Sequence, residues 1–180
     1  VSQPRGARFV GISVQNSRRA SVAMHDCETL AHPSARGSGW PLLQRYDVAK
    51  AILIVEDEIL VALDIERILM DAGYDVTAIA ADRETALRHG QTADIAFIDI
   101  NLRDGQTGPT IACELVDRHG TKVVYLTANP AQIDPVANTA IGYILKPFSD
   151  SAIRAAAELA AVGRQANDPV HPEITLFATV

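Results

Sequence analysis

The sequence predicts an α/β domain built on a five-stranded, doubly wound parallel sheet with helices on both faces. Three observations lead there. Strand and helix signals alternate from Lys50 to about Val162, giving five βα units in some 115 residues. The apolar runs Ala51–Val55 and Ile95–Ile98 are unbroken rather than alternating, as strands buried on both faces read. Polar residues follow each run, so their side chains gather at the carboxyl edge of the sheet, where open α/β sheets bind ligands.

Taken in order, Ala51–Val55 is the first strand and ends in Glu56-Asp57-Glu58. Glu58 to Asp71 follows as a helix, with Val61, Ile65, Ile68, Leu69 and Ala72 on its apolar face and Gly73 as its stop. Asp75–Ala80 is a short strand, and Asp82 caps a helix reaching about His89. Asp94–Ile100 is the third strand and delivers Asp99. Pro109 opens a helix that ends at His119, before Gly120. Lys122–Leu126 is the fourth strand and Gly142–Leu145 the fifth. Between them, Ala131–Ala140 contains Pro135 and two turn-prone residues, which predicts a short or irregular helix. Ser149 caps a last, alanine-rich helix to about Val162. On it Ile153, Ala156, Ala157 and Ala160 are spaced for burial, leaving Ala152, Ala155 and Leu159 for an exposed face of small residues. That face is read either as a repeated good helix former or as a surface another chain can approach.

Of the 180 residues, 48% are hydrophobic and 21% charged, ordinary for one globular domain with some excess. The net charge of -6 is uneven: residues 1–47 carry six Arg and three acids, and the rest carries ten Lys+Arg against nineteen acids. An acidic domain argues against general nucleic-acid binding, which needs a basic surface. Cys27 and Cys113 form neither a metal-ligand spacing nor a disulfide framework, consistent with a reducing, cytoplasmic setting. No apolar stretch is long enough for a signal-peptide core or a membrane span. Residues 1–47 show no sustained period and read as an irregular segment, either a flexible basic arm or an over-extended start. The domain is expected over residues 48–163, with 164–180 as a tail.

The site residues belong together. If the first and third strands are neighbours, Glu56, Asp57 and Asp99 meet at one spot. At roughly 4 Å and an effective dielectric near 20, each pair of charges repels by about 4 kcal/mol. Such a cluster takes up protons or a cation, and a hard divalent ion with oxygen ligands suits it best. The fourth strand adds Thr127 and the fifth adds Lys146, a hydroxyl and an ammonium aimed at the same edge. Each residue alone has a plainer reading. Asp57 or Glu58 could cap the first helix, Thr127 could serve a turn, and Lys146 could be a solvated loop charge. Convergence at the ends of four strands favours an oxyanion-and-metal site.

Four motifs carry a resemblance: Val55-Glu56-Asp57-Glu58, Phe97-Ile98-Asp99-Ile100-Asn101-Leu102, Leu126-Thr127-Ala128 and Gly142-Tyr143-Ile144-Leu145-Lys146-Pro147-Phe148. Through them residues about 49–162 resemble the receiver domain of two-component response regulators. The resemblance implies a flavodoxin-like strand order, 2-1-3-4-5, and a cis Lys146–Pro147 bond. It implies that Asp99 is the phosphoacceptor for a phosphohistidine of a sensor kinase or a histidine phosphotransfer protein. Glu56, Asp57 and Asp99 would hold Mg²⁺, with the backbone carbonyl of Asn101. Lys146 and Thr127 would each meet a phosphoryl oxygen, and Tyr143 would be the aromatic switch that turns inward as Thr127 shifts. Such a protein is a self-phosphorylating switch and not an enzyme acting on a separate substrate.

The sequence also departs from that family. The loop after Asp99, Arg103 to Gly108, lacks the usual proline, and the span from Thr127 to Lys146 is short. No recognition helix or other output domain is expected after the last helix, which predicts signalling through protein contacts, with a homodimer as one option. The receiver is also similar to that of general-stress regulators with a sigma-factor-like domain in front, but 47 irregular residues are too few for one. A Mg²⁺-dependent phosphohydrolase of the haloacid-dehalogenase type is the alternative. It would place its nucleophile at the end of the first strand with a second Asp two residues on, which Glu56-Asp57-Glu58 does not match.

Overall fold

The computed structural model describes residues 49–132, 139–164 and 169–177. The irregular segment expected over residues 1–47 and most of the helix expected over Ala131–Ala140 lie outside them. That second region begins with a single 3-10 turn, Pro130–Gln132.

The strands are β1 (Ala51–Val55), β2 (Asp75–Ala80), β3 (Ile95–Asp99), β4 (Lys122–Thr127), β5 (Gly142–Leu145) and β6 (Ile174–Leu176). The helices are α1 (Ile59–Asp71), α2 (Arg83–His89), α3 (Gly108–His119) and α4 (Asp150–Val162). The sheet runs β2-β1-β3-β4-β5-β6. Pairings from β2 through β5 are parallel, in the expected order, and β6 joins β5 antiparallel. The sixth strand is a correction. The expected tail contributes to the sheet, because its Glu-Ile-Thr-Leu-Phe run finds an unpaired edge on β5.

Successive residues of a strand face opposite sides, and here both sides are covered. Ile52, Ile54, Ile95, Phe97, Val124, Leu126 and Ile144 pack under α1 and α4. Leu53, Val55, Ala96, Ile98, Val123 and Tyr125 pack under α2 and α3. Each fully buried large aliphatic or aromatic side chain contributes about 1.5–3 kcal/mol through removal from water. That double burial is why β1 and β3 are continuous apolar runs. Between Ile52 and Leu53 the register with β2 slips by one residue, and Thr77 Oγ1 donates to the Ile52 carbonyl at 3.1 Å.

The helix ends follow local chemistry. Asp82 accepts from Thr85 N at 2.9 Å and Ser149 Oγ from Ala152 N at 3.2 Å. Gly73 and Gly120 stop α1 and α3 with φ of 88° and 69°, values that suit a residue without a side chain. Two facial assignments change. Ala72 sits at the C-cap of α1 and is exposed. Ala152 is fully buried, and Ala155 and Leu159 are half-buried against the core with Val170 and Ile174 beside them. The face of α4 expected to be open is therefore partly covered by residues 169–174 of the same chain.

Candidate functional site

Parallel pairing of β1 with β3, Ile54 opposite Phe97 and Val55 opposite Ile98, brings Glu56-Asp57 and Asp99 to one edge. One carboxylate oxygen from each of Glu56, Asp57 and Asp99 lies within 4.8 Å of the others. Glu56 and Asp99 are buried and Asp57 is half-exposed. The plainer reading of the acids as helix caps does not hold for Glu58, which occupies the N-cap of α1 without a side-chain capping bond.

Pairing of β4 with β5, Thr127 opposite Leu145, places Lys146 beside the acids. Its Nζ donates to Glu56 Oε2 at 2.6 Å and to Asp99 Oδ2 at 2.5 Å. Burial works against the ammonium, but its bonds to Asp99 and Glu56 more than offset this and leave its pKa raised. Burial likewise pushes the Glu56 carboxyl above its ordinary value, with Lys146 only partly opposing. The other oxygen of Asp99, Oδ1, accepts from the main-chain N–H of Asn101 at 3.0 Å. Three carboxylates against one ammonium leave a formal charge of -2 at the edge of the sheet. Oxygen donors with that charge fit a divalent hard cation, whose octahedral shell needs opposed oxygens about 4.2 Å apart.

Thr127 is fully buried; its Oγ1 accepts from Asn129 N at 3.0 Å and donates to the Asn129 carbonyl at 3.3 Å. Asn101 is exposed, and its side chain exchanges two hydrogen bonds with Gln132 across the mouth of the site, at 2.9 and 3.1 Å. Tyr143 is half-buried, one residue before Ile144 on β5, and its ring lies 5.7 Å from that of Phe177. Its strand partner Tyr125 bonds Thr139 at 2.5 Å through its hydroxyl, and burial pushes that phenol up to about 12. The Lys146–Pro147 peptide is cis, as the resemblance implied.

Three features escaped the sequence reading. Gly108, grouped with a loop, opens α3 against the backbone of β3: a Cβ there would run into the Asp99 carbonyl. The loop after β3 is pinned by Asp82 to Arg103, and by Asp104 to Arg83 N at 3.0 Å and Thr107 Oγ1 at 2.6 Å. Ile59, Leu60 and Leu63, at the start of α1 beside the acids, are 61%, 79% and 46% exposed. The last could have been found, since three apolar residues there lie off the stripe set by Ile65, Ile68 and Leu69.

The family model described as response regulator receiver domain matches residues 52–158, more than half of the chain. The phyllosphere-induced regulator PhyR of Methylorubrum extorquens is 28% identical over 113 residues, 61% of this chain and 42% of that protein. The transcriptional regulatory protein PdtaR of Mycobacterium tuberculosis is 32% identical over 121 residues, 63% of this chain and 57% of the relative. The crystal structure of the response regulator PhyR from Brucella abortus superimposes with a TM-score of 0.57 at 28% identity, covering 63% of this chain and 48% of that one. The chain thus spans about half the length of the curated relatives it matches.

Proposed function

This chain belongs to the response regulator receiver family, and on that premise we propose that it accepts a phosphoryl group on Asp99 from a histidine-phosphorylated protein. The observation that carries the proposal is the environment of Asp99: a buried carboxylate bonded to Lys146 Nζ and Asn101 N, with Glu56 and Asp57 at the end of the neighbouring strand. One oxygen of Asp99 forms the new P–O bond while the P–N bond of the donor breaks and its electron pair returns to the imidazole nitrogen. A carboxylate is a weak nucleophile, so positioning and charge neutralisation carry the step. Lys146 leaves Asp99 to meet a phosphoryl oxygen as a point charge, and Thr127 turns its hydroxyl from Asn129 to donate to another. Glu56, Asp57 and Asp99, with the Asn101 carbonyl, would hold Mg²⁺, which supplies charge neutralisation at the transferred group.

The donor protein has to lie against this same edge. Ile59, Leu60 and Leu63 are the apolar surface next to it, which supports a sensor kinase or histidine phosphotransfer protein as partner. Signalling onward then proceeds through protein contacts, without nucleic-acid binding by this acidic domain. No helix among the described residues is long and apolar enough to cross a membrane, and a cytoplasmic site of action accords with that chemistry.

Incubation with Mg²⁺ and acetyl phosphate should add one phosphoryl group, read by intact-protein mass spectrometry. An Asp99→Asn protein that gains the same mass would overturn the assignment. Asp57→Asn should weaken Mg²⁺ binding and labelling together.

A further inference from the structure

The edge of β5 opposite β4 is taken by a strand from far along the chain. β6 pairs Ile174, Thr175 and Leu176 with Ile144, Tyr143 and Gly142, and Phe177 N donates to the Ile141 carbonyl at 3.0 Å. Gly142 is built for this contact, since a Cβ there would collide with the Thr175 carbonyl. Three further anchors hold the segment. Ser149 gives its N–H and its Oγ–H to Glu173 at 2.9 and 2.7 Å. His171 Nε2 meets Ser151 Oγ at 3.1 Å, while its Nδ1 accepts from Glu173 N. Because Nδ1 is the acceptor, Nε2 carries the proton and donates; the pair is an anchor, not a nucleophile with its base. Finally, Phe177 lies against Tyr143.

The same strand is shallowly held. It has three residues, Ile174 alone is buried among them, and its polar anchors are exposed. Short edge elements with few buried groups open most readily. Yet β5 links it directly to the site: Leu145 pairs with Thr127 on one side, Tyr143 pairs with Thr175 on the other, and Lys146 follows β5 at once. An Nζ that holds both Glu56 and Asp99 cannot keep that position once a phosphoryl group sits on Asp99.

We propose that residues 173–177 are an autoinhibitory strand that covers the β5 edge beside Tyr143, and that phosphorylation of Asp99 releases it. Release uncovers a row of unpaired backbone groups on β5. Such an edge takes an extended segment of a partner by strand addition, and the sequence it now holds, an acid followed by Ile-Thr-Leu-Phe, indicates the pattern it accepts. The proposal rests on the phosphoacceptor reading and adds to it the element that the switch moves.

The test is hydrogen exchange of the full chain with Mg²⁺, with and without beryllofluoride, while fluorine NMR reports the bound mimic. With mimic bound, exchange of the amides of residues 174–177 should rise by about tenfold, in the range of ordinary coupling between sites, while that of Lys122–Thr127 stays unchanged. By reciprocity, Phe177→Ala should loosen the strand without the mimic and bind beryllofluoride several-fold more tightly. Bound mimic with unchanged protection at 174–177, or unaltered affinity in a loosened Phe177→Ala, overturns the proposal while leaving the phosphoacceptor reading intact. Absence of any bound fluoride signal overturns both.

Discussion

Replacing Lys146 by methionine keeps a side chain of similar length but removes the ammonium that bonds Glu56 at 2.6 Å and Asp99 at 2.5 Å. Two carboxylates about 4 Å apart at an effective dielectric near 20 repel by about 4 kcal/mol. Glu56 already stands above its ordinary value through burial, and without Lys146 it climbs further. Removing one partner of a buried pair costs about 3–5 kcal/mol, and here uptake of a proton by Glu56 limits the loss. At pH 7 without divalent ions the variant should therefore lose about 3 kcal/mol, read from urea denaturation with the slope unchanged. The sign with pH follows from a folded pKa raised above the unfolded one. Below the unfolded value of 4.5 Glu56 is protonated in both states and the deficit is small. The deficit grows as pH rises toward the folded pKa and is full above it. Mg²⁺ should restore stability, and the variant should bind it more tightly than the wild type while accepting phosphate poorly. A Lys146→Met protein as stable as wild type at both pH 5 and pH 8 would refute this account of the site.

Asp82 accepts from Thr85 N and pairs with Arg103; that ion pair, with the cap bond, holds its carboxyl down at about 2. Asp82→Ala should cost about 1 kcal/mol at neutral pH, as a lost cap does. Because the folded pKa is depressed, that contribution is present above 3.8 and disappears as pH falls through about 2, which acid titration of both proteins will show. Leu60, 79% exposed, makes a sharper test of partner contact. Leu60→Arg should leave thermal stability within about 0.5 kcal/mol and labelling by acetyl phosphate unchanged, yet slow transfer from a phosphohistidine protein; equal slowing with both donors would count against a docking role.

Much of this protein is written locally. β1 and β3 were legible because burial on both faces leaves an unbroken apolar run, and the helix limits because Asp82, Ser149, Gly73 and Gly120 act on their own termini. The placement of the candidate residues was legible for the same reason: each lies at the carboxyl end of its own strand, so parallel topology brings Glu56, Asp57, Asp99, Thr127 and Lys146 to one edge without further information. What periodicity cannot encode is the identity of a distant partner. Ala155 and Leu159 are half-covered because residues 169–174 lie beside them along α4, a fact absent from the helix's own spacing. Gly108 and Gly142 owe their lack of a side chain to backbone carbonyls at Asp99 and Thr175. A three-residue strand such as β6 has too little burial to announce itself; it exists because β5 offers unpaired backbone groups and Tyr143 offers Phe177 a surface, and both lie about thirty residues away along the chain.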